Sequence, residues 1–158
     1  MKATDDAREL MLADFDAATK AAEAILRRLP PDCPAWRAHP RSRSIAEQAE
    51  HLIRLVGYAT GLASATGHDL AKVDSTTEYA AYSPPDLFRR FQEATTTTSN
   101  LLAALQEAEL EVPWTLSRGG NPIVVLSRRA ALQVFLVNHL RHHAAQLELC
   151  LRLAGLPC

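Results

Sequence analysis

Asn138-His139-Leu140-Arg141-His142-His143-Ala144-Ala145-Gln146 lies inside a run whose inward positions step by four and three: Leu132, Leu136, His139, His143, Gln146, Cys150 and Leu153. That spacing lines one face of an α-helix. The helix is expected to start near Ser127 and to end at Gly155, with Pro157 beyond it. Three further segments carry the same periodicity.

The first opens at Thr4 ahead of Asp5 and Asp6, an N-cap followed by acids facing the positive end of the helix dipole, and stops at Pro30-Pro31. Met11, Phe15, Ala18, Ala22, Ile25 and Leu29 form its seam. The second begins at Ser44-Ile45-Ala46-Glu47, a capping box in which hydroxyl and carboxylate satisfy otherwise unpaired backbone N–H groups. Its seam is Ile45, Ala49, Leu52, Val56, Ala59 and Ala63, flanked by Gln48, His51, Leu55, Tyr58 and Leu62, and Gly67 is expected to stop it in the left-handed conformation. The third starts at Ser83-Pro84-Pro85-Asp86, because proline at the first helical position loses no intrahelical bond, and uses Phe88, Phe91, Thr95, Thr98, Leu102 and Leu105. The β-branched run from Thr95 to Thr98 opposes a helix, and here periodicity outweighs propensity.

Four helices of about 25 residues, each roughly 37 Å long, define an all-α chain and a four-helix bundle with long connections. Those connections are long enough either to turn back or to cross over, so they leave the topology open. Trp114 to Ser117 and Pro122 to Leu126 bracket Arg118-Gly119-Gly120-Asn121 and read as a small β-hairpin between the third and fourth helices. Residues 1–158 are read as a single domain.

Composition narrows the function classes. With 158 residues, 47% apolar, 22% charged and a net charge of -1, the chain is neither disordered nor a nucleic-acid binder working by phosphate neutralisation. Three widely spaced cysteines, Cys33, Cys150 and Cys158, make no disulfide scaffold and suit a reducing cytoplasm. The N-terminus turns acidic at once, without the apolar stretch of a signal peptide. The best apolar run elsewhere, Val134 to Val137, is far short of the roughly 20 residues that cross a membrane. A cytoplasmic protein with no membrane and no nucleic-acid partner is expected.

Among the 6 His, two occupy seam positions where the pattern calls for Leu or Ile. Residues four apart share a helix face, so His139 and His143 can address one ion. A histidine on an apolar face is more often a satisfied core residue, and His-x-x-x-His also arises by chance. His51, on the inward half of the second helix, changes the balance. Three neutral imidazoles are costly to bury without partners, and a divalent metal satisfies all three while leaving an open position, as in catalytic zinc sites. His142, about 60° to one side of His139, is a rim residue. His39 and His68 fall in connections and are read as solvated.

Competing motifs are absent. Leu140 follows His139, so there is no His-Glu-x-x-His; Glu-x-x-His pairs, a Gly-x-Ser-x-Gly elbow, a phosphate loop and a dinucleotide fingerprint are also missing. Gln146, one step beyond His143, can hydrogen-bond a ligand or an imidazole. Tyr58 is read as core, Glu50 and Asn138 as solvated or capping side chains, and Trp36 and Trp114 as covers over the bundle ends. Cys150, about 10 Å along the helix from His143, is read as a small core residue.

Trp36, Ser44-Ile45-Ala46-Glu47 and Glu50-His51-Leu52, followed by residues 138–147 and the closing Leu-Arg-Leu-Ala-Gly-Leu-Pro, resemble the DinB/YfiT-like family of metalloenzymes across almost the whole chain. The resemblance implies a four-helix bundle with an unusual crossover, and a metal triad falling on His51, His139 and His143. It also implies bundles that pair through helix faces, hence a homodimer. Where the family often carries Arg-Gly before the glutamine, this chain has Ala144-Ala145, which removes a cation from the site mouth.

Held by three imidazoles, a zinc or nickel ion stays dipositive and Lewis acidic, able to activate water or to bind a thiol as thiolate. The resemblance implies transfer onto a low-molecular-weight thiol, as in bacillithiol and mycothiol transferases, or metal-dependent hydrolysis; the first is favoured. The rival from another class is a non-catalytic, metal-stabilised, stress-linked bundle or dimerisation module.

Overall fold

A computed structural model of the chain describes residues 3–31, 35–72 and 82–156. The elements follow in order as α1 (Ala3–Leu26), α2 (Ile45–Ser64), β1 (Gly67–Asp69), α3 (Pro84–Ala104), α4 (Glu107–Leu110), β2 (Pro113–Arg118), β3 (Asn121–Ser127), α5 (Arg128–Leu132), a π-helical stretch (Gln133–Asn138) and α6 (His139–Leu153). Both α1 and α2 pack against α3 and α6, so the long helices enclose one core. None of the described helices is long and apolar enough to cross a membrane.

The seams of the first two segments are buried as periodicity requires. All six seam residues of the first segment, Met11 to Ile25 within α1 and Leu29 just beyond it, and all six of α2, Ile45 to Ala63, belong to the core. The ends differ from expectation in instructive ways. Helix α1 already includes Ala3, so Thr4 is not its cap, and it stops at Leu26, with Leu29 held by a turn bond to the Leu26 carbonyl. The capping box of α2 is complete: Glu47 N donates to Ser44 Oγ at 3.2 Å and Ser44 N to Glu47 Oε2 at 2.9 Å. Arg37 braces that carboxylate from outside at 2.7 Å and holds it below the usual carboxylate range.

Gly67 does not terminate α2. The helix ends at Ser64 with extended Ala65, and Gly67 opens strand β1 instead. A Cβ there would lie 2.4 Å from the Thr115 carbonyl oxygen, so glycine is needed for close backbone approach rather than for a left-handed turn. Strand β1 runs parallel to β2, which pairs antiparallel with β3. The expected hairpin is therefore present within a three-stranded sheet. Its two-residue turn uses Gly119 and Gly120 at φ 59° and 80°, and the Asp69 carboxylate accepts from both turn N–H groups at 2.8 and 3.1 Å.

In α3, Ser83 caps the helix as expected, and the threonine run remains helical. Thr98 is buried and donates to the Val56 carbonyl at 3.0 Å, so its hydroxyl ties α3 to α2. Leu87 takes the fully buried place expected of Phe88, which is half-buried beneath the Arg27 guanidinium. Trp114 is not a cover over an end: it is 1% exposed, inside the core, 5.4 Å from the Phe135 ring. Trp36 is half-buried against that core. Cys33, Cys158 and Pro157 lie outside the described residues.

The fourth segment departs most from straight-helix arithmetic. Ser127 caps α5 through Ala130 N, and Gly155 closes the far end at φ 72°. Between them the π-helical stretch widens one turn, so steps of four stay on one face for longer. The buried line is Leu132, Leu136, Leu140, Ala144, Leu147 and Leu151. Gln146 and Leu153, expected inward, are exposed, and Cys150 is half-buried rather than core. His139 and His143 consequently stand at the edge of the core instead of in its middle. Buried Arg128 locks the start of this helix, donating to the Glu109 and Ala65 carbonyls at 3.0 and 3.2 Å.

Candidate metal centre

Helix α2 delivers His51 one residue before the core position Leu52, while α6 delivers His139 and His143 one turn apart. The three rings converge. Their candidate ligand nitrogens lie within 4.8 Å of one another, with His51 and His139 half-buried and His143 buried. The His51 ring meets that of His143 edge-on at 4.3 Å and that of His139 at 6.1 Å. Imidazole nitrogens gathered this closely would be able to hold one divalent ion between them.

The hydrogen bonds behind the rings decide which nitrogens face inward. Nδ1 of His143 meets Gln146 Oε1 and Gln48 Nε2, both at 2.8 Å. With Nε2 on a metal, Nδ1 carries the proton and donates to Gln146 Oε1. Gln48 then has its own acceptors, the His143 carbonyl at 3.2 Å and Gln146 Oε1 at 3.0 Å. The Gln146 amide reaches on to His142 Nε2 at 2.9 Å, which places exposed His142 on the rim of the same network.

His139 is oriented by the π-helical stretch. In a regular α-helix its backbone N–H would bond the Phe135 carbonyl. Here that N–H bonds the Leu136 carbonyl instead, and the imidazole hydrogen-bonds to the Phe135 backbone. With both rings donating outward, the Nε2 atoms of His139 and His143 face each other at 2.9 Å. A cation between them engages both lone pairs. With both rings protonated on their outer nitrogens, two Nε2 lone pairs face each other at this distance, a repulsion that a cation would relieve. The donor set therefore fits a metal ion.

Electrostatics agree with that fit. Burial pushes His51 down to about 3, assisted by the positive charge of Arg43 and by the neighbouring imidazoles. His143 falls to about 4 for the same main reason, with His139 next and the Gln146 bond opposing. His139 is lowered as well, by burial first and then by His142. All three rings are thus neutral near pH 7, the form that binds metals. Arg43, in the segment before α2, lowers all three, so a cation reaches the site from this direction although residues 144–145 carry none.

Of the other residues, Glu50, His68 and Tyr58 depart from expectation, while His39 and Asn138 are solvent-exposed as expected. Glu50 is 5% exposed and ion-paired to Arg54, not a solvated side chain. His68 is not free in a connection: it sits in β1, its ring 5.1 Å from that of half-buried Tyr58, whose phenol burial raises to about 12. His39 is exposed and accepts from Arg41 N, and Asn138 is exposed and accepts from Gln133. Gln48 was legible only as a neighbour of His51; its contact with His143 spans 95 residues and left no mark in local periodicity.

A mostly helical fold that brings three imidazoles together defines a candidate metal-binding class. The chain belongs to the DinB superfamily, whose family model matches residues 14–147. Among solved structures it is similar to a DinB-like protein, YjoA, from Bacillus subtilis, at 18% identity and a TM-score of 0.67, covering 94% of this chain and 96% of that one. That likeness concerns the fold. No curated protein matches it in sequence.

Proposed function

We propose that this protein is a metal-dependent enzyme that transfers an organic group onto a low-molecular-weight thiol, with His51, His139 and His143 holding a zinc or nickel ion. The observation that supports it most is the inward convergence of three neutral imidazoles, each of the α6 pair fixed from behind by a hydrogen bond. Three such ligands leave room for one more. When bound, the ion supplies Lewis acidity that favours a thiol in its thiolate form.

The chain's own groups supply the remainder. Gln146 and the Phe135 carbonyl keep the imidazole protons on the outer nitrogens, and Gln48 anchors Gln146. Arg43 adds positive charge that favours an anionic sulfur over a neutral one. In the transfer, the sulfur forms a bond to the electrophilic carbon, the leaving group departs with its electron pair, and the thiol proton goes to solvent. This reading places the protein in a thiol-rich, reducing cytoplasm.

The test begins with metal analysis of protein purified without a histidine tag. A stoichiometric ion lost in both His51→Ala and His139→Ala is expected, and no metal in the wild type would sink the reading. Loaded protein should then consume an aryl halide in the presence of a small thiol. Hydrolysis of an amide or ester without thiol dependence would instead assign the site to a hydrolase. Stability that depends on the ion without any turnover would make it structural.

A further inference from the structure

The three imidazoles are not held alike. His143 Nδ1 meets Gln146 Oε1 and Gln48 Nε2, both at 2.8 Å, and the His139 ring hydrogen-bonds to the Phe135 backbone. The His51 ring has no hydrogen-bond partner among the described residues. What surrounds it is the edge-on approach of the His143 and His139 rings, at 4.3 and 6.1 Å, and the charges of Arg43 and Arg54. Its backbone is nonetheless fixed. Gln48, three residues earlier on the same flank of α2, donates to the His143 carbonyl at 3.2 Å and ties α2 to α6. The freedom at position 51 therefore belongs to the side chain alone.

That difference carries an energetic consequence. An imidazole that donates outward through one nitrogen presents the other in a set tautomer and direction, and is the more basic ligand for it. His139 and His143 arrive in that state, their Nε2 atoms 2.9 Å apart. His51, half-buried, carries its proton on either nitrogen and gives up rotamer freedom only on engaging an ion. Ordering it costs binding energy that the α6 pair has already spent in folding.

We infer that the centre is built in two unequal parts: His139 and His143 form a pre-set pair that captures the ion, and His51 is the exchangeable third ligand, which closes the site from α2 and yields its place to an added donor. The inference rests on the metal-holding half of the reading above and not on the chemistry of transfer. An imidazole supplied from solution should accordingly replace His51 and fail to replace His143.

The first test takes the full wild-type chain loaded with Co(II) and records proton NMR in water, where the ion shifts the ring N–H signals of its ligands far outside the ordinary range. Two such signals, from His139 and His143, should persist near neutral pH because hydrogen bonds protect them, while that of His51 is lost to exchange with solvent. Three persistent signals overturn the inference, and so do fewer than two. The second test titrates excess Co(II) into His51→Gly and His143→Gly and follows the visible absorption of the ion. His51→Gly should bind it about tenfold or more tightly than His143→Gly, and millimolar imidazole should restore the wild-type spectrum in His51→Gly alone. Equal affinities, or rescue of both variants or of neither, overturn the inference. His51→Ala and His143→Ala, which spare the helix, serve for the affinity comparison should the glycine variants fail to fold. Failure to bind Co(II) at all overturns this inference together with the metal-enzyme reading. Bound Co(II) with two protected signals but no thiol-dependent turnover removes the transfer reading and leaves the unequal centre standing; turnover with three protected signals does the reverse.

Discussion

Gln48 of α2 donates to the backbone carbonyl of His143 on α6 at 3.2 Å, and the same amide approaches the His143 ring at 2.8 Å. One buried side chain thus holds a helix pair together and backs the ring that faces the other two imidazoles. Removing it leaves the carbonyl and Gln146 Oε1 short of a donor. We expect Gln48→Leu and Gln146→Leu each to weaken metal binding by about 10-fold to 100-fold with the fold retained. Competition against a chelator of known affinity checks this, and wild-type affinity in both variants would refute the role assigned to the network.

The metal-free protein should lose stability as pH falls. An unfolded imidazole titrates near about 6.5. In the fold, His51 titrates at about 3 and His143 at about 4, chiefly because of burial. Between those values the unfolded chain binds protons that the folded chain does not, so acid favours unfolding. Urea denaturation of metal-free protein should show a plateau above about pH 7 and a steady decline below about pH 6.5. His51→Phe should make that decline shallower. A stability unchanged between neutral and mildly acidic pH would contradict the burial of these rings.

Gly67→Ala tests the close approach of β1 to β2. The added Cβ meets a backbone oxygen, which cannot rotate away as a side chain can. A loss of about 1–3 kcal/mol is expected, read as a lower melting temperature, while Gly57→Ala in α2, where nothing lies within 4 Å, should be neutral or slightly stabilising.

Trp114→Ala should cost about 3–5 kcal/mol, because it removes the largest fully buried side chain from a core that α1, α2, α3 and α6 share. Denaturant unfolding measures it. Phenylalanine at this position should recover most of the loss, since the indole N–H has no hydrogen-bond partner to forfeit.

Much of this was legible because helix formation is local. The seams of α1 and α2, the caps at Ser44 and Ser83, and the glycine turn of the hairpin follow from spacings of three and four and from backbone preferences within a few residues. The same local logic set His139 and His143 on one face. It overreached in the fourth helix, where a uniform 3.6-residue period carried Gln146, Cys150 and Leu153 inward. The wide turn at Gln133–Asn138 had shifted the buried line to Leu140, Ala144, Leu147 and Leu151.

By itself, then, the sequence determined which segments are helical, which faces are apolar, and that three histidines stood on inward-facing halves. Only the tertiary structure decided how near those imidazoles come, that Gln48 backs His143, that Gly67 belongs to a strand, and that Arg43 turns toward the site. Each of these depends on contacts between residues distant in the chain. Such contacts are selected by packing and hydrogen-bond satisfaction across elements, to which local periodicity is blind.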